Sequence, residues 1–289
     1  NSKKDTHMSS LKCRKTLLII GAGNMGEAML KSWVQTQIDK ISVLVLEPSP
    51  SDWLKSLFEK GLVELNPRKF PRQIDICVFA VKPQKLAEVL EENRSKICKK
   101  TLIISVVAGK DFNFFQSYFE EKQPIIRVMP NTPVSVNHGV SAIVADKSAN
   151  ESEIEWAKNL FTPLGEVVLL DKESEIDVVT AISGSGPAYI FNFIENLIEM
   201  AEELGLSTKI SKKLVIQTVF GAGVLAKSSA LTPSRLRENV TSPAGTTQAA
   251  LEVLMDSQGG WKPIIKKAVN AAHNRSRELA GRKISSGGK

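Results

Sequence analysis

Thr16-Leu17-Leu18-Ile19-Ile20-Gly21-Ala22-Gly23-Asn24-Met25-Gly26 is an apolar run that ends in a glycine-rich turn. A short continuous apolar run bounded by glycine reads as a buried strand. The residues from Asn24 onward open a helical pattern. A G-x-G-x-x-G match is weak alone, but between a strand and a helix it points to a dinucleotide-binding turn. Gly21 permits the tight turn, Gly23 lets the backbone approach a pyrophosphate, and Gly26 lets helix pack on strand. The N–H groups of Ala22, Gly23, Asn24 and Met25 then face the phosphates at the positive end of the helix.

Outward from that turn, strand and helix patterns alternate. Apolar strand segments fall at residues 16–20, 41–46, 62–65, 74–80 and 102–107, then at 125–128, 141–145 and 166–170. Between two of them, Trp53, Leu54, Leu57 and Phe58 share one helical face, and Gly61 follows as a C-terminal stop. Such alternation predicts a mostly parallel sheet covered on both sides. After Asp171 no strand pattern returns. Pro187 suits a first helical turn, and Gly205 closes the apolar run that starts there. Ser211 opens another run through Lys227, Thr232-Pro233 is a cap and first-turn pair, and 249–255 and 264–279 are helical again. Residues 189–200 are largely apolar but carry Glu195 and Glu199, which suits a buried helix with one wet edge. The expected fold class is α/β: a Rossmann-type dinucleotide-binding domain over residues 8–170, then an all-α domain over 171–283.

Composition bounds the rest. The 289 residues, 42% of them hydrophobic, fit one large or two ordinary domains with a substantial core. No apolar stretch approaches the roughly 18 residues of a membrane span. No charged leader precedes a cleavable apolar region, so no secretion signal is expected. Residues 1–7 read as lying outside the fold, with His7-Met8 as a cloning junction, and 284–289 as a loose tail. Cys13, Cys77 and Cys98 lack metal spacing and read as reduced cytosolic thiols. The net charge is +7, but the basic residues are scattered and aromatics make up only 6%. That is a solvated basic surface hospitable to anionic ligands, without the basic stripe of a nucleic-acid reader.

Glu47 ends the second strand, about 20 residues beyond the glycine turn, where an acid accepts hydrogen bonds from the adenosine ribose and repels a 2′-phosphate. Ser49, Ser51, Asn66, Arg68 and Lys69 are near enough in sequence to hold a phosphate if Glu47 turns away. The residues alone leave the choice of cofactor open. Ala80-Val81-Lys82-Pro83 follows the fourth strand, and loops at the carboxyl ends of parallel strands line the ligand crevice. Lys82 is thus expected near the cofactor; the plainer alternative is a surface lysine before a helix-starting proline. Val107-Ala108-Gly109 and Met129-Pro130-Asn131-Thr132-Pro133 occupy similar loops. Small residues there let a nicotinamide lie flat and Asn131 offers an amide, although ordinary turn chemistry would also use them.

Two segments of the helical half open helices with small and hydroxylated residues: Ser183-Gly184-Ser185-Gly186-Pro187-Ala188-Tyr189 and Thr241-Ser242-Pro243-Ala244-Gly245-Thr246-Thr247. Free N–H groups and hydroxyls at a helix N-terminus can receive a carboxylate. His7, His138 and His273 stand in no triad or metal spacing, no metal site is expected, and no G-x-x-x-x-G-K-[ST] loop is present.

Taken together, segments 20–26, 80–83, 107–109, 127–133, 183–189 and 239–251 resemble pyrroline-5-carboxylate reductases, in family order and over nearly the whole chain. The stretch Val240-Thr241-Ser242-Pro243-Ala244-Gly245-Thr246-Thr247 carries the resemblance most specifically. Ala244 departs from it, since the family often has glycine there. Glu47 departs from a purely NADPH-adapted pocket. The resemblance implies hydride transfer from NADPH or NADH to a cyclic imino acid, giving L-proline in a cytoplasmic enzyme, with NADP(H) ahead of NAD(H). It implies a homodimer through the helical domain, often assembled into larger rings, with the active site between a nucleotide domain and a helical domain of the dimer. Gly245, Thr246 and Thr247 would bind the substrate carboxylate, Ser242 would support their loop, and Thr247 would relay a proton to the imine nitrogen. Lys82 and Asn131 would shape the nicotinamide side. A β-hydroxyacid-type dehydrogenase is the alternative enzyme reading, although the helix opened by Gly186-Pro187 offers no lysine in its first turns. A nucleotide-sensing or nucleic-acid-binding module that keeps the fold is the non-enzymatic one.

Overall fold

The computed structural model describes residues 14–36, 41–119 and 122–281. Cys13, the His7-Met8 junction, the tail at 284–289 and the outer limits 8 and 283 of the two expected domains lie outside the described residues.

The first half alternates β1 (Lys15–Ile20), α1 (Asn24–Thr36), β2 (Ile41–Leu46), α2 (Asp52–Glu59), β3 (Glu64–Leu65), β4 (Ile76–Phe79), α3 (Leu86–Asn93) and β5 (Leu102–Ser105). Then come α4 (Phe112–Gln116), β6 (Ile125–Met129), β7 (Gly139–Ala145), α5 (Glu151–Phe161), β8 (Gly165–Leu169) and α6 (Glu175–Val179). A π-helical turn, Thr180–Gly184, leads to α7 (Gly186–Glu203), α8 (Thr208–Ser228), α9 (Pro233–Asn239), α10 (Thr246–Leu254) and α11 (Trp261–Leu279).

Among the described residues the strands form one sheet in the order β3-β2-β1-β4-β5-β6-β7-β8. β1 to β6 pair in parallel, β7 returns antiparallel to β6, and β8 runs parallel to β7. Every strand read from the sequence is present, with ends shifted by a residue or two. The strands read as continuous apolar runs because both faces are buried. Leu17, Ile19, Val43 and Val45 pack with Met29, Leu30 and Trp33 of α1 and Leu160 of α5. Their neighbours Leu18, Ile20 and Leu44 pack on the other face with Leu86 and Leu90 of α3 and Phe115 of α4. The Trp33 indole N–H donates to the Leu160 carbonyl at 2.7 Å, so the largest core side chain keeps its polar atom paired.

Helix α2 follows its sequence signals. Ser51 accepts from the Leu54 N–H, and Gly61 at φ +67° ends the helix. The Gly61 N–H donates to Phe58 and the Leu62 N–H to Leu57, the paired bonds of a left-handed C-terminal cap. Leu54 and Leu57 are buried, whereas Phe58 is 51% exposed because it lies about 100° further round the helix than Leu57.

The chain divides into two compact units. Residues up to Gly184, together with those from His273 on, form one, and Ser185–Ala272 form the other. The division falls later than the 170/171 boundary read from the sequence. Ile176 of α6 is buried in the second core of the sheet, and Asp177 accepts a hydrogen bond from Ser276 Oγ at 2.8 Å, so α6 belongs to the first unit.

In the second unit α7 packs on α8, and Phe193 meets Trp261 edge to face with ring centroids 5.2 Å apart. The expectation of a buried helix at 189–200 is corrected here. No residue of α7 is buried, and Ile190, Phe191 and Met200 are exposed, as are Leu214 and Phe220 of α8. The apolar composition is as read, but α8 and Trp261 cover only part of it, and Ile190, Phe191 and Met200 stay exposed among the described residues. No described helix is long and apolar enough to cross a membrane.

One ion pair sits deep in the first unit. Arg127 on β6 is 5% exposed and donates to Glu173 Oε1 at 2.8 Å. The same oxygen accepts from the Phe112 N–H at 2.7 Å, so Glu173 joins the sheet to the start of α4. Removing one partner of a buried pair strands the other charge. Glu173→Ala is therefore expected to cost about 3 kcal/mol of stability, read as a lower urea midpoint.

Candidate active site

The carboxyl ends of the parallel strands bring the predicted cofactor residues to one edge of the sheet. Gly21 follows β1, Glu47 follows β2, Asn66 follows β3, Ala80 follows β4 and Asn131 follows β6. In the order β2-β1-β4 the chain departs in opposite directions from β1, which opens a crevice at that point.

The three glycines of the turn do different jobs. Gly21 has φ +93°, and a Cβ there would lie 2.7 Å from the Ala80 carbonyl oxygen and 2.7 Å from Val81 Cγ1. A Cβ on Gly26 would meet the Gly21 carbonyl oxygen. Those two are glycine because the protein's own backbone fills the space. A Cβ on Gly23 would meet nothing within 4 Å. Packing does not demand glycine there; an approaching ligand would. Glu27 N–H donates to the Gly23 carbonyl at 2.8 Å, while the N–H groups of Asn24 and Met25 find no partner among the described residues. Open donors at a helix start beside a bare Cα fit a pyrophosphate.

Glu47 is held rather than free. Its Oε2 accepts from the Ala22 N–H at 2.7 Å and its Oε1 from the Ser49 N–H at 2.9 Å. The Asn66 amide fixes the backbone behind it, accepting from the Glu47 N–H at 2.9 Å and donating to the Glu47 carbonyl at 2.8 Å. Asn66 itself adopts φ +47°, a conformation asparagine tolerates well. Ala22, Glu47, Ser49 and Asn66 thus form one hydrogen-bonded group. The Ala22 N–H, read as a phosphate donor, is engaged by Glu47.

Lys82 caps a short 3-10 turn begun by Pro83. It is exposed, and its ammonium has no partner among the described residues. Val81 abuts Gly21, so Lys82 lies one residue from the glycine turn. Ala108 is half-buried beside it in sequence to Gly109, whose φ is +71°. A Cβ on Gly109 would come 3.1 Å from the Leu279 carbonyl carbon, so the small residue there makes room for the end of α11. The Asn131 amide is engaged at both ends. It accepts from the Val140 N–H at 2.9 Å and donates to the Ser183 carbonyl at 3.1 Å, tying the β6 loop to β7 and to the π-helical turn.

The second unit carries one of the two expected helix mouths. Ser185, which caps α7, is itself in the helical region and its side chain makes no cap bond. Segment 183–189 therefore lacks the extended cap that would open its N–H groups, and the Ala188 N–H is already paired with the Ser185 carbonyl. At α10 the mouth is formed. Gly245 is extended, with φ −86° and ψ 170°, and the N–H groups of Thr246, Thr247 and Gln248 have no partner among the described residues. A Cβ on Gly245 would meet Ser242 Oγ, so Ser242 and Gly245 require each other's small size. The Gly245 N–H donates to the Ser242 carbonyl at 3.1 Å, closing a turn with Pro243 and Ala244 at its centre. Ala244 has φ +57°, which costs a residue with a Cβ about 1–2 kcal/mol. One residue escaped the sequence reading. Gln248 Oε1 accepts from the Ala244 N–H at 2.8 Å. Its place at the third helical position, where Gln often reaches back, is the signal that could have found it.

Residues 173–279 match the family model for pyrroline-5-carboxylate reductase dimerisation, and residues 16–109 match that for NADP oxidoreductase, coenzyme F420-dependent. A pyrroline-5-carboxylate reductase of Pseudomonas aeruginosa is 34% identical over 266 residues, covering 91% of this chain and 96% of its own. The chain belongs to the pyrroline-5-carboxylate reductase family. A Synechocystis family member is 36% identical over 90% of this chain and 97% of its own. Among solved structures, the Coxiella burnetii family member is similar at TM-score 0.83 and 32% identity, over 93% of this chain and 98% of that one. The Plasmodium falciparum family member, solved with NADP bound, is similar at TM-score 0.79 and 30% identity, over 92% and 98%.

The glycine turn makes a sharp contrast testable. Gly23→Ala should keep the melting temperature of the wild type yet weaken cofactor binding about tenfold or more, read by titration calorimetry. Gly26→Ala should lower the melting temperature itself, because its Cβ has no room.

Proposed function

We propose that this protein reduces 1-pyrroline-5-carboxylate to L-proline with NAD(P)H. The observation that carries the reading is the mouth of α10: N–H groups at Thr246, Thr247 and Gln248 and hydroxyls on Thr246 and Thr247 that have no partner among the described residues, suited to one small carboxylate. Bound dihydronicotinamide would supply the hydride to the imine carbon. The chain's own residues then have modest chemical duties. Thr246 and Thr247 hold the ring's carboxylate, Ser242 and Gly245 shape the turn beneath it, and the Thr247 hydroxyl passes a proton toward the imine nitrogen. The glycine turn and Lys82 hold the dinucleotide, with Lys82 supplying positive charge. Asn131 serves the same side indirectly, by fixing the loop that carries it. An imine is readily protonated, so orientation is the larger contribution, worth up to about 7–11 kcal/mol of barrier.

The β-hydroxyacid alternative loses ground, since α7 contains no lysine along its length to exchange a proton with a hydroxyl. The exposed apolar faces of α7 and α8 support a homodimer through the helical unit, with larger rings built from it. Cys77, whose thiol is pushed up by burial, and the exposed Cys98 are both free, which suits a reducing compartment and a cytoplasmic enzyme.

Cofactor choice turns on Glu47. The NADP oxidoreductase match supports NADPH, the cofactor expected from the resemblance. The carboxylate bonded to Ala22 and Ser49 opposes it, because a 2′-phosphate would face a held anion and would have to displace it. We infer that both reduced cofactors are accepted and that Glu47 favours NADH.

Steady-state assay of the imine with each cofactor tests the activity, and no imine-dependent loss of reduced cofactor would refute it. Thr247→Ala should lower kcat/KM for the imine roughly ten- to a hundredfold, the value of a hydrogen bond to a charged group, with cofactor affinity unchanged. Glu47→Ser should raise the NADPH:NADH ratio of kcat/KM on the order of tenfold by removing one repulsive charge.

A further inference from the structure

We propose that Gln248 is a positioning residue that clamps the substrate-carboxylate turn and, by being neutral, keeps that turn attractive to an anion. The proposal rests on the reading of α10 as the carboxylate site and adds a residue to it.

The turn Ser242-Pro243-Ala244-Gly245 is closed by the bond from the Gly245 N–H to the Ser242 carbonyl. Proline at its first central position and positive φ at its second define a type II turn. That second position favours glycine, and this chain has alanine at φ +57°. Left to itself, alanine would relax toward negative φ and open the turn. Gly245, Thr246 and Thr247 follow directly, so opening would swing the carboxylate donors away.

Gln248 prevents this from the first turn of α10. Its Oε1 accepts from the Ala244 N–H at 2.8 Å, and its Nε2 donates to Glu252 Oε1 at 3.2 Å one helical turn later. The side chain is therefore braced at both ends. The Ala244 N–H, which lies inside the turn and has no backbone partner, is satisfied without being offered to the substrate. The open donors are then those of Thr246, Thr247 and Gln248 itself. A glutamate could accept the same bond, but it would set a second anion beside N–H groups that must receive one. An amide is the side chain that meets both requirements.

Three variants, each assayed for imine and cofactor separately, test this. Gln248→Glu keeps the clamp and adds charge. It trades the bond to Glu252 for repulsion between two carboxylates, so it should lower the melting temperature slightly, and it should raise KM for the imine about tenfold without altering KM for the cofactor. Gln248→Met removes the clamp and should lower kcat/KM for the imine about tenfold. Ala244→Gly added to Gln248→Met should restore most of that loss, because glycine holds positive φ unaided. A merely structural glutamine would give Gln248→Met a lower melting temperature with imine and cofactor affected alike. Gln248→Met within twofold of the wild type, or no rescue by Ala244→Gly, overturns the proposal. If the wild type itself fails to reduce the imine, the activity reading falls. The clamp is then judged by amide hydrogen exchange of residues 242–248, which Gln248→Met must accelerate.

Discussion

The first unit depends on how closely β1 and β4 meet at their carboxyl ends. Gly21 touches the Ala80 carbonyl and Val81 with no space for a Cβ, and the Ala80 N–H donates to the Ile20 carbonyl at 2.9 Å. That contact fixes the crevice wall from which Gly23, Glu47, Lys82 and Ala108 are presented. It also explains why the sheet must be apolar on both faces. A turn this tight holds only if the strands beneath it cannot slide, and Leu17, Leu18, Ile19 and Ile20 are buried on alternate sides to prevent it.

The polar groups around this frame divide into those that build and those left open. Glu47, Asn66, Asn131 and Glu173 have their hydrogen bonds committed within the protein, and each ties one loop to another. The N–H groups of Asn24 and Met25 in one unit, and of Thr246 and Thr247 in the other, have no such commitment among the described residues. Unsatisfied donors at helix starts attract anions because the helix dipole adds to them. A dinucleotide and a small imino acid bring phosphates and a carboxylate, which are the anions those donors suit.

The fold was legible because strand and helix periodicities are local. The run 16–26 already held strand, turn and helix, and the heptad-free apolar strands elsewhere could only be buried between layers. Helix types after Asp171 were legible for the same reason. What escaped depends on partners distant in sequence. Nothing near Asp171 reveals that Asp177 meets Ser276, the contact that carries the first compact unit past 170/171 to Gly184. Nothing near Asn131 reveals Val140 and Ser183, so its amide looked available for a ligand. The apolar run at 189–200 was read as interior because a sequence does not say which apolar faces its own chain will cover. At the α10 mouth, the small and hydroxylated run from Ser242 to Thr247 stood out in the sequence, whereas Gln248 was passed over because its bond runs from a side chain backward along the chain.

The bare faces of α7 and α8 have a consequence for handling. Ile190, Phe191, Leu214 and Phe220 are wetted in the lone chain, and water is driven from such surface at any opportunity. Anything that binds the folded form stabilises it by mass action, and in the proposed homodimer a second chain would be such a binder. If the proposed homodimer forms through this surface, the amount in the tube is itself a stabilising agent, and thermal midpoints recorded at nanomolar and micromolar strength describe different populations.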